Sequence, residues 1–234
     1  MIPKIGRGVY SIPEAAALAE IPPARIRMWF TGRGGKRSIQ PLMVPEYERI
    51  AERIAISFFD LVDAVVASYC YENGRGVPLR TLRKVYENLS KHMANGRHPF
   101  CLRNVRDRLR MDGVTVFLES AVDEDERRKL IDLKNNQHCM PEVLLPFLDK
   151  LKFDTHTAMV SRWNIADGIV LDPAINFGKP SVQRCGIPTS LLMQCYEGNN
   201  GDECAVARWY QIDPADVRCA VAFERKLLDR RCAA

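Results

Sequence analysis

Apolar residues recur at helical spacing through most of the chain, and Pro, Gly and short polar caps cut that pattern into pieces. Ser11-Ile12-Pro13-Glu14 reads as a capping box, in which a Ser hydroxyl and a Glu three residues on satisfy backbone N–H groups reciprocally. The helix it opens carries a small-residue face of Ile12, Ala15, Ala16 and Ala19, suited to close contact. Glu20-Ile21-Pro22-Pro23 breaks it. Pro23 can start the next helix, Ala24 to Phe30, because its fixed φ and missing N–H suit the first helical position. There Ile26, Trp29 and Phe30 fall on one face and point inward, while Arg25 and Arg27 flank the outward face. Two short helices across a tight turn, the second basic, predict a helix-turn-helix. Thr31-Gly32-Arg33-Gly34-Gly35-Lys36-Arg37 follows as a basic loop.

A short strand is expected over Arg53 to Ile56. Ser57 then caps a helix with Phe58, Leu61, Val62, Val65 and Tyr69 inward, ended near Gly74. Gly76-Val77-Pro78 starts its partner, with Leu79, Leu82, Tyr86 and Leu89 in one stripe. Residues 97–167 carry less pattern. Met111-Asp112-Gly113 turns into an alternating strand, Val114 to Leu118. Pro141 to Leu151 reads as a short helix kinked at Pro146, and Ala158 to Trp163 as a strand pairing with Ile169 to Leu171. From Gly168 to Phe223 the punctuation is dense. Asp172-Pro173 stops the strand, and Phe177-Gly178-Lys179-Pro180 is a turn. Ile187-Pro188 enters a helix with Leu191, Leu192, Cys195 and Tyr196, stopped by Gly198. A second helix, Asp202 to Tyr210, sets Val206 and Trp209/Tyr210 on one face. Asp213, Pro214 and Asp216 start a third as N-cap, first helical residue and capping box, followed by Val217, Ala220, Val221 and Glu224.

Composition narrows the function classes. The chain of 234 residues is 47% hydrophobic and 27% charged, values of an ordinary globular protein with a real core. No apolar run approaches the roughly 20 residues that span a bilayer. Glu14 and Glu20 interrupt what a signal peptide would keep apolar, so a cytoplasmic protein is expected. Net charge is +5, and its distribution matters more. Between Ala24 and Pro45 lie Arg25, Arg27, Arg33, Lys36 and Arg37 with no acid, which points to a polyanion partner. Arg80, Arg83 and Lys84 offer a second basic face, for phosphates or for water alone. The eight cysteines show no Cys-x-x-Cys and read mostly as small buried apolar residues, with Cys232 as an exposed thiol. Asp123 to Glu126 reads as a solvated helix start, because adjacent carboxylates diverge on a helix. No nucleophile, phosphate loop or metal motif emerges, so neither an enzyme nor a cofactor is expected.

Two resemblances rest on these residues. Ser11-Ile12-Pro13-Glu14-Ala15, Ile21 and Ile26-Arg27-Met28-Trp29 resemble the reading head of MerR-type regulators. Asp172-Pro173, Gly178-Lys179-Pro180, Ile187-Pro188, Ala207, Tyr210, Val217 and Ala220 resemble a C-terminal trihelical domain of unknown function (family 433) found in VapB-type antitoxins, whose middle also carries an opening like Ser57 to Asp63. Together they imply a mainly α fold with small antiparallel β elements. Its parts would be a MerR-like winged helix-turn-helix over 1–95, a linking α/β region over 96–167 and a trihelical, helix-turn-helix-like unit over 168–234. They imply a dimeric antitoxin that represses its own promoter and neutralises a PIN-type ribonuclease toxin. Carried onto this chain, double-stranded DNA would be met by Ser11, Arg25, Arg27, Arg33, Lys36 and Arg37. The third C-terminal helix presents Asp213, Asp216 and Glu224 against Arg218, a poor match for phosphates, so protein contact is assigned there. The toxin's acidic, Mg²⁺-binding site would be plugged by Arg225, Lys226, Arg230 and Arg231, unless these merely complement a helix dipole. The alternative is a stand-alone MerR-like regulator that senses a ligand.

Overall fold

The computed structural model describes residues 6–34, 38–47, 53–71, 77–91, 97–110 and 141–232. The helices are α1 (Ile12–Ala19), α2 (Pro23–Thr31), α3 (Phe58–Tyr71), α4 (Leu79–Lys91), α5 (103–110) and α6 (Pro141–Asp149). Four short strands follow: β1 (Leu151–Phe153), β2 (Val160–Ala166), β3 (Ile169–Leu171) and β4 (Ser181–Val182). Then come α7 (Thr189–Gly198), α8 (Glu203–Tyr210) and α9 (Pro214–Cys232). The architecture is mainly helical with one antiparallel sheet in the order β1-β2-β3-β4. The strand expected over 114–118 and the acids at 123–126 lie outside the described residues.

α3 is the hub. Its start is fixed by a reciprocal cap: the Asp60 N–H donates to Ser57 Oγ (3.0 Å) and the Ser57 N–H donates to Asp60 Oδ2 (2.9 Å). Phe58, Leu61, Val62, Val65 and Val66 are buried on several sides of the helix, as expected for a helix with neighbours all round. α1, α4, α6 and the turn Pro99–Cys101 all pack on it. Burying each large apolar side chain here contributes roughly 1.5–3 kcal/mol relative to exposure. Tyr69 departs from expectation. It stands at the end of the buried stripe, exposed rather than inward, with its ring against Phe147 of α6.

The strand expected at Arg53 to Ile56 is reduced to isolated bridges, of which Ile56 pairs with Tyr10 through two hydrogen bonds of 2.8 Å. The expected β2–β3 pairing forms, with Trp163 opposite Leu171, although β2 runs over Val160–Ala166 and not from Ala158 to Trp163. β4 was not foreseen: after the Gly178 turn the chain returns to pair with β3, and two residues are too few to show an alternating pattern. α6 ends at Asp149, so Leu151 belongs to β1. α7 ends at Gly198, but the left-handed residues that reverse the chain are Asn200 and Gly201.

Several expectations about side chains are corrected. Leu191 and Trp209 are exposed, because the neighbours of α7 and α8 cover Leu192, Met193, Val206 and Ala207 instead. Asp216 and Glu224 are buried rather than presented. Glu224 accepts a hydrogen bond from Thr189 Oγ1, joining α9 to α7. Cys204 and Cys219 are exposed and only Cys70 and Cys101 are buried among the described thiols; Cys139 and the side chain of Cys232 lie outside the described residues.

The N-terminal helices meet the C-terminal unit. Tyr10 Oη donates to Gly178 O at 2.6 Å, and a Cβ on Gly178 (φ +79°) would sit 2.4 Å from that hydroxyl. α1 also packs on α9. One hydrophobic core therefore runs from Tyr10 to Leu227. The boundary expected at 167/168 falls in the turn of the β2–β3 hairpin, so the linking region and the C-terminal unit share one sheet.

Candidate nucleic-acid interface

The α1–α2 pair is built to fix the orientation of α2. Ser11 Oγ accepts from the Glu14 N–H (3.4 Å) while Glu14 Oε2 accepts from the Ser11 N–H (2.8 Å), completing the predicted capping box. The Ser11 hydroxyl also donates to Glu14 (2.7 Å), so this residue, expected to contact DNA, serves the cap. Glu20 ends α1 in the left-handed conformation (φ 57°) and Ile21 plugs the turn. Ile26, Trp29 and Phe30 anchor α2 inward, as expected. Trp29 is 1% exposed and meets Tyr71 of α3 edge-on at 6.2 Å.

What α2 leaves outside is Ala24, Arg27 and Thr31. Among the described residues neither Arg27 nor the exposed Arg33 has an ion-pair partner. Arg25 differs, since its guanidinium lies over the Tyr71 ring at 5.5 Å. Lys36 and Arg37 lie outside the described residues. The loop carrying them leaves α2 through Gly32 (φ +69°), where a Cβ would stand 2.4 Å from Ile39 O, so the sharp departure needs glycine. Arg33 and Ile39 then exchange two backbone hydrogen bonds of 2.8 Å, an antiparallel bridge at the base of this loop. Arg83 of α4, one of the expected basic face, is spent on this base: its Nε donates to Pro41 O (3.0 Å) and its Nη2 to Gln40 O (2.6 Å). Arg80 is exposed.

The four basic residues expected to meet a partner from α9 have different surroundings. Arg225 lies over the Tyr196 ring at 5.7 Å, and Arg230 forms an ion pair with Glu20 at the end of α1. Lys226 and Arg231 are exposed. Lys226 and Arg230 also line an open cavity of about 710 Å³ between α1, α3, α6, the sheet and α9. Its lining comes from elements far apart in sequence, which no local pattern could reveal.

Sequence reasoning also missed a buried polar cluster behind the interface. Asp63 accepts from Tyr86 Oη (2.8 Å) and the Phe100 N–H (3.1 Å), and pairs with His98 Nδ1 (3.1 Å). Asp60 accepts from the backbone N–H of Ser57 and Glu46, and Glu46 in turn pairs with Arg7. Burial pushes the Asp60 carboxyl up to about 6, against the pull of His98 and its backbone donors. Burial lowers the His98 imidazole, but its hydrogen bond to Asp63 and the charges of Asp63, Asp60 and Glu46 outweigh that and hold it above its ordinary 6.5. Burial and Asp63 push the Cys101 thiol well up, leaving a poor nucleophile. The available signal was two carboxylates three residues apart on an otherwise apolar helix. Among the described residues no group of His, Cys, Asp and Glu is arranged to hold a metal ion.

The crystal structure of Rv2018 from Mycobacterium tuberculosis superimposes with a TM-score of 0.66, covering 91% of this chain and 96% of that one at 20% identity. At that identity the likeness is one of fold, and it extends through both helical ends and the sheet between them. No family model matches the chain, and no curated protein does. Among the described residues no helix is long and apolar enough to cross a membrane.

Proposed function

We propose that the chain is a cytoplasmic antitoxin of a type II toxin–antitoxin system, dimeric, which represses its own promoter through α1–α2 and neutralises a PIN-type ribonuclease through its C-terminal unit. The observation that carries the DNA reading is Arg27 on the outer face of a helix locked by Trp29, followed by the exposed Arg33 in its bridge to Ile39. Such a helix fits a major groove, with Arg33 on the adjoining phosphates. The toxin reading draws support from exposed apolar side chains on the C-terminal unit, Phe177, Trp209 and Leu228, which is where protein contacts gain most. A ligand-responsive regulator is the second reading, favoured by the cavity that joins α1 to α9.

Binding to the chain's own upstream DNA, measured across a salt series, tests the DNA half. Arg27→Ala with Arg33→Ala is expected to weaken binding and lower the salt slope by about 2, at roughly 0.9 per phosphate contact. An unchanged affinity and slope would refute it. Co-expression with the neighbouring gene, tagging only this chain, tests the toxin half. A stoichiometric partner that is toxic alone and harmless in the complex is expected, and Trp209→Ala should release it. Recovery of the chain alone would leave only the regulator.

A further inference from the structure

The cavity between the two helical ends is lined by three rings in contact: Tyr69 and Phe147 with centroids 5.8 Å apart, and Phe147 and Trp163 edge-on at 5.2 Å. Phe223 of α9 also lines it. Around these rings stand Lys150, Lys226 and Arg230 against Glu20 and Asp167. The Arg230–Glu20 ion pair cancels one charge of each sign. That leaves Lys150 and Lys226, exposed and without ion-pair partners among the described residues, facing a single acid. The cavity volume of about 710 Å³ lies within the range of small-molecule sites, which pair apolar walls with a few charged groups. A flat ring meets the Tyr69–Phe147–Trp163 row by stacking or edge contact, and an anionic substituent answers the lysine excess.

We propose that this cavity binds a small planar aromatic acid, its ring against Tyr69, Phe147 and Trp163 and its carboxylate toward Lys226 and Lys150. The site is independent of the DNA and toxin readings, because occupancy is measured with neither present. Its wall includes Glu20, the residue that ends α1, so an occupant abuts the turn of the helix-turn-helix.

1-Naphthoate is the probe, titrated calorimetrically into the full chain. One saturable site per chain is expected, weakened about tenfold or more by Lys226→Glu, which sets like charge against the carboxylate. Ala222→Trp, which fills the cavity from an exposed lining position, should abolish it, whereas Arg208→Glu on α8 should leave it unchanged. The unmutated protein provides a second readout, because Cys219 lines the cavity and Cys204 does not, and both are exposed. Naphthoate at about ten times its Kd should slow alkylation of Cys219 about tenfold and leave Cys204 unaffected. Absence of saturable binding overturns the proposal, as does unchanged Cys219 alkylation at saturation. Loss with Ala222→Trp but not with Lys226→Glu overturns the anionic character of the ligand.

Discussion

Trp29 and Trp209 each sit in the last turns of the second helix of a compact helical unit, one at 1% exposure and the other at 65%. In the N-terminal unit the tryptophan is sealed against Tyr71, and the arginines Arg27 and Arg33 stand outside without ion partners among the described residues. In the C-terminal unit the tryptophan stands outside while three arginines are tied back, with Arg208 and Arg231 exposed. Arg218 pairs with Glu203, Arg230 with Glu20, and Arg225 covers Tyr196. Both units begin their helices with the same devices, a capping side chain or an X-Pro start. The difference teaches that helix punctuation specifies the scaffold, whereas function is set by which side-chain type the packing leaves over. Leftover guanidinium groups suit phosphates, and a leftover indole suits a protein surface.

The most severe way to break this comparison is to exchange the tryptophans' fates. Trp29→Ala is expected to cost about 3–5 kcal/mol, the usual range for emptying a core aromatic site. Trp209→Ala should stay within about 0.5 kcal/mol, as for a surface change. Urea unfolding of both variants checks this, and similar losses would dissolve the contrast.

The buried carboxylates sharpen the comparison next. Asp63 serves Tyr86, His98 and the Phe100 N–H, so Asp63→Ala should cost about 3 kcal/mol by stranding three buried polar groups. Among the described residues Glu224 has only Thr189, and Glu224→Gln keeps an acceptor for it, so a loss below about 1 kcal/mol is expected. A larger penalty at Glu224 would mean that the C-terminal unit, not α3, holds the critical network.

The pH dependence between about pH 4 and neutrality is smaller and comes from the N-terminal cluster. Asp60 and His98 both have folded values raised above their ordinary ones. A raised value means the folded state holds its proton more tightly, so the stabilisation is complete below the ordinary value and lost as pH climbs through the raised one. For Asp60 that loss falls between its ordinary 3.8 and about 6, and for His98 it begins above 6.5. Urea midpoints should therefore fall as pH climbs from about 3.8 to about 6 and again as it climbs above 6.5, and His98→Gln should remove the second part of that fall. A midpoint that rises over the same range would contradict the assignment.

Much of the scaffold was legible because its cues are local. Ser11 with Glu14, Pro22-Pro23, Ser57 with Asp60, and Asp213-Pro214 each mark a helix start through neighbours three or four residues away. The inward set Ile26, Trp29 and Phe30 followed from periodicity alone. What stayed hidden depends on residues remote in sequence. Arg83 reads in sequence as facing either phosphates or water alone, whereas its partners are backbone carbonyls more than 40 residues earlier. Glu224 looked like surface because periodicity gives the face of a helix but not whether a threonine waits opposite it. The aromatic cavity draws on α1, α3, α6, β2 and α9, and Phe147 carries no mark that distinguishes a wall from a core.

The ion pair between Glu20 and Arg230 spans 210 positions, and with it the last helix covers the end of the first. During synthesis at roughly 5–20 residues per second, α1 waits roughly 10–40 s for α9 to leave the ribosome. Over that interval its inner small-residue face lacks its final neighbour, and closing so long a loop is slow compared with pairing adjacent helices. The growing chain therefore gives α1 its last packing neighbour only once α9 has emerged, and a product truncated before α9 lacks that contact.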